Sequence, residues 1–101
     1  MTIFYALYKY FLFFSLGYGH LPATEASGIV TDKNTGQPLS QVYVYSIKGE
    51  EETLSNEKGV FKIISWEALP VTVSFEKKGY RPFRLPLQKE QKNIKVILEA
   101  Y

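Results

Sequence analysis

The side chains that most often do chemistry in a small protein are scarce in this one. His20 is the only histidine and there is no cysteine. A Ser-His-Asp arrangement needs an imidazole beside its nucleophile, and zinc draws on several His or Cys ligands. Neither can be assembled from residues 27–101, and no H-x-x-E pair occurs anywhere in the chain. Carboxylates remain, but Asp32 sits in a turn sequence and the others fall in charged loops or at alternate strand positions. Asp32, Asn34 and Thr35 are too few oxygen donors for a calcium loop. Gly28, Gly36, Gly59 and Gly79 are spread through separate turns and form no phosphate-cradling loop. The sequence therefore predicts no catalytic residue, no cofactor-binding residue and no metal ligand.

What is left is recognition. Tyr43, Tyr45, Trp66, Tyr80 and Phe83 are aromatic side chains of the kind enriched at interfaces. Phe61, Phe75 and Phe83 are expected in the core. Tyr43 and Tyr45 lie on the strand face opposite Val42 and Val44, which makes that pair the expected partner surface, with an exposed strand edge, open to strand addition, as the alternative. Twelve Lys and Arg against ten Asp and Glu give a net charge of +2. The signs alternate along the chain, so the basic stripe of a nucleic-acid binder is missing. Glu50-Glu51-Glu52 and Lys77-Lys78 read as solvated strand ends.

The elements that must position these residues are strands. Val71, Val73 and Phe75 alternate with Thr72, Ser74 and Glu76, the period-2 pattern of a sheet with one buried face. Ile94, Val96 and Leu98 repeat it against Lys95 and Glu99, with Ile97 breaking it on the outer face. Seven short strands are predicted, at about 28–32, 41–47, 52–55, 59–64, 70–76, 80–87 and 93–99, the signature of an all-β sandwich. Between them lie turn signals. Asp32 can accept from amides just ahead of it, Gly36 can take positive φ, and Pro38 delays the next ladder. Ser55 to Gly59 has hairpin-loop chemistry, opened by Asn56 and closed by Gly59. Gly79 ends the turn after the fifth strand.

Residues 1–26 differ from the rest. The stretch 3–19, IFYALYKYFLFFSLGYG, is apolar and aromatic, broken by Lys9. Its uninterrupted part is too short for a membrane span, which needs about 20 apolar residues, and matches a signal-peptide core of about 7–15. Gly19, Ala23 and Ala26 are the possible cleavage positions, with Ala26 the preferred boundary. A signal peptide over 1–26 is expected, with a retained membrane anchor as the alternative, ahead of a domain over 27–101.

The order of the turn and strand signals resembles a known family. Gly28-Ile29-Val30-Thr31-Asp32, then Thr35-Gly36-Gln37-Pro38-Leu39, then Val42-Tyr43-Val44 is similar to the pattern G-x-V-x-D, TG-x-PL, V-x-V. Ser55-Asn56-Glu57-Lys58-Gly59-Val60-Phe61 resembles T-D-E-x-G-x-F, with Ser and Asn for the usual Thr and Asp. Val73-Ser74-Phe75 followed by Gly79-Tyr80 completes it. These are the marks of carboxypeptidase regulatory-like (carboxypeptidase D-type) domains. The resemblance implies a seven-stranded antiparallel Greek-key β-sandwich of transthyretin type. It also implies a non-catalytic module of the Gram-negative envelope, in the periplasm or at the outer membrane. Such domains often stand in front of TonB-dependent receptors. The implied partner is a cell-envelope protein, with no nucleic acid and no cofactor, and the small-molecule ligand is left open. A small-ligand carrier, or an accessory domain of a separate peptidase, is the alternative.

Overall fold

In the computed structural model, which describes residues 23–101, the alternating segments form seven strands. They are β1 (Thr24–Asp32), β2 (Tyr43–Ile47), β3 (Glu51–Leu54), β4 (Val60–Ser65), β5 (Val71–Glu76), β6 (Phe83–Leu87) and β7 (Gln91–Leu98). Two sheets result, ordered β4-β1-β7 and β3-β2-β5-β6, packed face to face as an all-β sandwich. Only β2–β3 and β5–β6 are joined within one sheet; the other connections cross to the opposite sheet. The expected leader up to residue 22 lies outside the described residues. Among those that are described, no helix is long and apolar enough to cross a membrane.

Alternation places the core. Phe61 and Ile63 of β4, Val44 of β2, Val73 and Phe75 of β5, and Val96 and Leu98 of β7 all face inward and are buried. Phe61 and Phe75 meet edge to face across the two sheets, ring centroids 5.0 Å apart. That geometry suits the opposed charge of ring edge and ring face. Phe83, expected in this core, is 37% exposed, because β6 is an edge strand; its ring still reaches Phe75 at 6.0 Å.

Three expectations are corrected by the topology. The sandwich is not wholly antiparallel, because β7 runs parallel to β1. Parallel neighbours need a crossing connection, and β7 has one, since it arrives from β6 in the other sheet. The Ser55–Gly59 turn is not a hairpin. It closes tightly, with Asn56 N donating to Val60 O at 3.0 Å, but β3 and β4 then diverge into different sheets. β1 also begins at Thr24, earlier than expected, with Thr24 opposite Ser65 and Ala26 opposite Ile63. A cut after Ala26 would remove three residues of this central strand, two of them buried.

Gly28 permits the parallel pairing. A Cβ there would stand 1.9 Å from the Ile94 carbonyl oxygen, so only glycine lets the two backbones approach this closely. The ladder shifts at this point, Ala26 facing Gln91 and Gly28 facing Ile94, and Asn93 within the extra stretch has φ 59°. Gly28→Ala should therefore force β7 away from β1 and cost about 3 kcal/mol or more, at or above the upper end of ordinary overpacking. Phe61→Ala, which empties the centre, should cost about 3–5 kcal/mol. Urea unfolding measures both; a loss under about 1 kcal/mol for either would place that residue outside the packed interior.

Candidate functional site: a braced tyrosine face

The outer face of the four-stranded sheet is where the structure places the expected partner surface. Tyr43 and Tyr45 stand on β2 between β3 and β5. In register, Tyr43 faces Glu76 and Leu54, and Tyr45 faces Ser74 and Glu52. The hydrogen bonds do not follow these rungs. Tyr43 donates its hydroxyl proton to Glu52, the residue opposite Tyr45. Tyr45 donates to Glu76, the residue opposite Tyr43, at 2.7 Å. Diagonal neighbours of this kind lie within reach of aromatic side chains. The two tyrosines thus lean along opposite diagonals, with ring centroids 4.9 Å apart and planes tilted by 33°. Lys48 Nζ lies 5.2 Å from the Tyr45 ring centroid, within cation–π range. The bond to Glu52 raises the Tyr43 hydroxyl above its ordinary pKa, and the same bond lowers Glu52. With their hydroxyls anchored, both half-buried rings are fixed in orientation before any partner arrives.

The turn residues make a separate set of contacts. Asp32 Oδ1 accepts from Asn34 N at 2.7 Å and Thr35 N at 2.9 Å, and Gly36 N donates to Asp32 O at 2.8 Å. Pro38 forms an isolated bridge with Thr31, after which Leu39 N donates to Val30 O. Asn56 Oδ1 accepts from Lys58 N and Val60 N. Gly59 has φ 76°, and a Cβ there would meet Val30 O at 2.5 Å, so this turn requires glycine. Gly79 has φ 89° and its carbonyl accepts from Tyr101 N.

Two side chains whose roles sequence reasoning missed hold the sheets together. Tyr80 donates its hydroxyl proton to Asp32 Oδ2 at 2.5 Å, linking the end of β1 to the turn after β5. That bond is the largest influence lowering the Asp32 carboxyl, and it raises the Tyr80 hydroxyl. Glu51, expected to be solvated with its acidic neighbours, instead faces between the sheets. Its Oε1 accepts from Ser46 Oγ at 2.6 Å and Ser65 Oγ at 2.7 Å, and its Oε2 accepts from Trp66 N at 2.7 Å. Burial pushes the Glu51 carboxyl up, but the bonds from Ser46, Trp66 and Ser65 outweigh it and leave the group lowered. Trp66 itself is 61% exposed on the β4–β5 connection.

The four free edges are guarded. β3 has four residues and begins within the acidic triplet. Both backbone groups of Val60 at the start of β4 are bonded to Asn56, and Glu51 holds Trp66 N just past its end. β6 contains Pro86. β7 has Lys92 and Lys95 and the irregularity at Asn93. Short strands, side-chain caps, proline and lysine all disfavour strand addition. Among the described residues no group of three or more His, Cys, Asp or Glu could hold a metal ion.

Asp32, Glu51 and Glu52 are all lowered in the folded state from ordinary values of 3.8, 4.5 and 4.5. Their contribution to stability is complete above those unfolded values and is lost as pH falls through the lower folded ones. The thermal midpoint should therefore hold steady from neutral pH down to about 5 and decline below it. Tyr80→Phe removes the donor that most lowers Asp32, so it should reduce the midpoint at pH 7 and make the acid decline shallower. A variant that parallels the parent at every pH would contradict the Asp32–Tyr80 link.

Comparison with known proteins agrees with the architecture. No curated protein matches the chain. Among solved structures, two similar chains belong to type II cohesin-X-dockerin complexes from Acetivibrio cellulolyticus. One is an N-terminal interface mutant, at 18% identity and TM-score 0.61. The other is a C-terminal interface mutant, at 17% identity and TM-score 0.58. Each match covers 76% of this chain and 58% of the other, so this chain spans a little over half the length of those it resembles. At such identity the likeness is one of fold. Residues 26–100 match the CarboxypepD_reg-like domain, a span that runs from the third residue of β1 through β7, and the chain therefore belongs to the carboxypeptidase regulatory-like domain family.

Proposed function

We propose that this domain is a non-catalytic binding module of the bacterial cell envelope, and that the crossed tyrosine pair is its contact surface. The observation behind this reading is the pair itself: two large rings on an exposed sheet face, each fixed by its own carboxylate. Tyrosine offers a large contact area at low rotamer cost, and prior anchoring reduces the ordering that binding would require. Membership of a regulatory-like family supports a binding role over a catalytic one. The similarly folded chains come from a protein–protein complex, which fits the same use of the fold. The apolar stretch 3–19 motivates export to the periplasm, where a domain of this family would stand beside or ahead of an outer-membrane protein such as a TonB-dependent receptor. Processing at Ala23 or earlier suits the fold, since it leaves β1 whole.

Two experiments test the proposal. The double variant Tyr43→Ser, Tyr45→Ser should lose capture of its partner from an envelope fraction while its thermal midpoint falls by only a few degrees. Unfolding of the variant would make the tyrosines structural, and undiminished capture would move the contact elsewhere. Amino-terminal sequencing of the chain recovered from that fraction should find a start after Met1 and no later than Thr24. Recovery of intact Met1 on a cytoplasmic protein would contradict export.

A further inference from the structure

Tyr43 separates two shallow hollows, one at the end of this sheet among its loops and one over β3. One is lined by Gln41, Tyr43, Glu76, Lys78, Pro82 and Tyr101, among others. The second is lined by Tyr43, Glu52, Thr53 and Leu54. The first contains a non-glycine residue at positive φ: Gln41 has φ 61°. Non-glycine residues are uncommon in that region, and where they occur the surroundings must over-determine them. Here buried Ser55 does so. Gln41 N donates to Ser55 O at 2.9 Å, Val42 N to Ser55 Oγ at 3.0 Å, and Ser55 Oγ to Leu39 O at 2.7 Å. The fold thus holds an exposed carboxamide at the rim of the hollow in a conformation that glycine would adopt more easily. No hydrogen bond among the described residues engages that carboxamide or the Lys78 ammonium, whereas Lys77 is tied to Ser40 O.

The chemistry of the two hollows selects among ligands. Apolar small molecules favour enclosed pockets that bury most of their surface, and these hollows are open. Nucleic acids and phosphates favour concentrated positive charge, and here the charge is mixed, with Glu76 beside Lys77 and Lys78 in the first hollow and Glu52 lining the second. Anchored tyrosine rings beside planar amide and carboxylate groups suit an extended, neutral, polar ligand. Its C–H faces can lie on rings, and its hydroxyl groups can bond to Gln41 and the carboxylates. We propose that this face binds an oligosaccharide, with one sugar unit on each side of Tyr43 and Gln41 as a specificity-determining donor and acceptor. The proposal rests on the reading of the tyrosine face as the binding surface and names its ligand class.

Affinity electrophoresis of the full chain through gels containing laminarin, xylan, galactomannan or pullulan tests it, with serum albumin as the unretarded reference. At least one polysaccharide should retard the chain. Gln41→Gly and Tyr43→Ala should each weaken that retardation at least tenfold, and Gln41→Gly should leave the thermal midpoint unchanged or higher, because glycine relieves the backbone while deleting the amide. Absence of retardation in all four gels overturns the proposal, as does retardation that survives either substitution. If no polysaccharide binds but Tyr43→Ser, Tyr45→Ser still abolishes protein capture, the sugar assignment falls while the binding role of the face stands.

Discussion

The contact between Phe61 and Phe75 is the interaction on which the rest of this domain depends. The described segment is short and has no disulfide, so a single layer of inward-facing side chains must hold two sheets together. The two phenylalanines sit at its centre, one from each sheet. Around them, Val, Ile and Leu from six strands complete the layer. Two polar clasps, Asp32–Tyr80 and Glu51 with Ser46 and Ser65, join the sheets away from the centre. Small domains bury a smaller share of their surface than large ones, so such clasps matter more here than they would in a thick core. They also use charged groups that keep their hydrogen bonds on folding, which limits the cost of drawing carboxylates between sheets.

That division of labour leaves the outer face of the four-stranded sheet available. β2 and β5 present Val44, Val73 and Phe75 to the core and Tyr43, Tyr45 and Glu76 away from it, because successive residues in a strand point to opposite sides. A tyrosine on such a face could rotate among rotamers. The crossed bonds to Glu52 and Glu76 stop that. The same logic recurs at Tyr80, whose hydroxyl is held by Asp32. Three tyrosine–carboxylate pairs therefore do two different jobs: one clasps the sheets, and two fix the surface rings.

Much of the architecture is legible in the sequence, because alternation is a local signal. All seven strands lie within a few residues of their expected positions, Phe61 and Phe75 are inside, and turns fall at Asp32 and Asn56, whose side chains accept from the backbone, and at Gly79, which takes positive φ. The departures share a cause. Strand direction and sheet membership depend on long-range pairing, so the parallel β7 and the divergence of β3 from β4 have no local mark. Glu51 looks like its acidic neighbours, since nothing adjacent in the chain reveals that Ser46 and Ser65 converge on it. Phe83 matches the core pattern but falls on an edge strand. Of the candidate site, the tyrosine pair is legible from its position opposite Val42 and Val44. Its carboxylate partners and the strained Gln41 are not, because each is set by register across strands.

The central claim is that the surface rings are oriented in advance by carboxylates. Carboxyl-carbon NMR of the isotopically labelled chain tests it most directly, by following Glu52 through an acid titration. A Glu52 midpoint below the ordinary glutamate value is expected, returning toward that value in Tyr43→Phe. A Glu52 that titrates as an ordinary surface glutamate in the parent chain, unmoved by the substitution, would show that the tyrosine is not held and would contradict the claim.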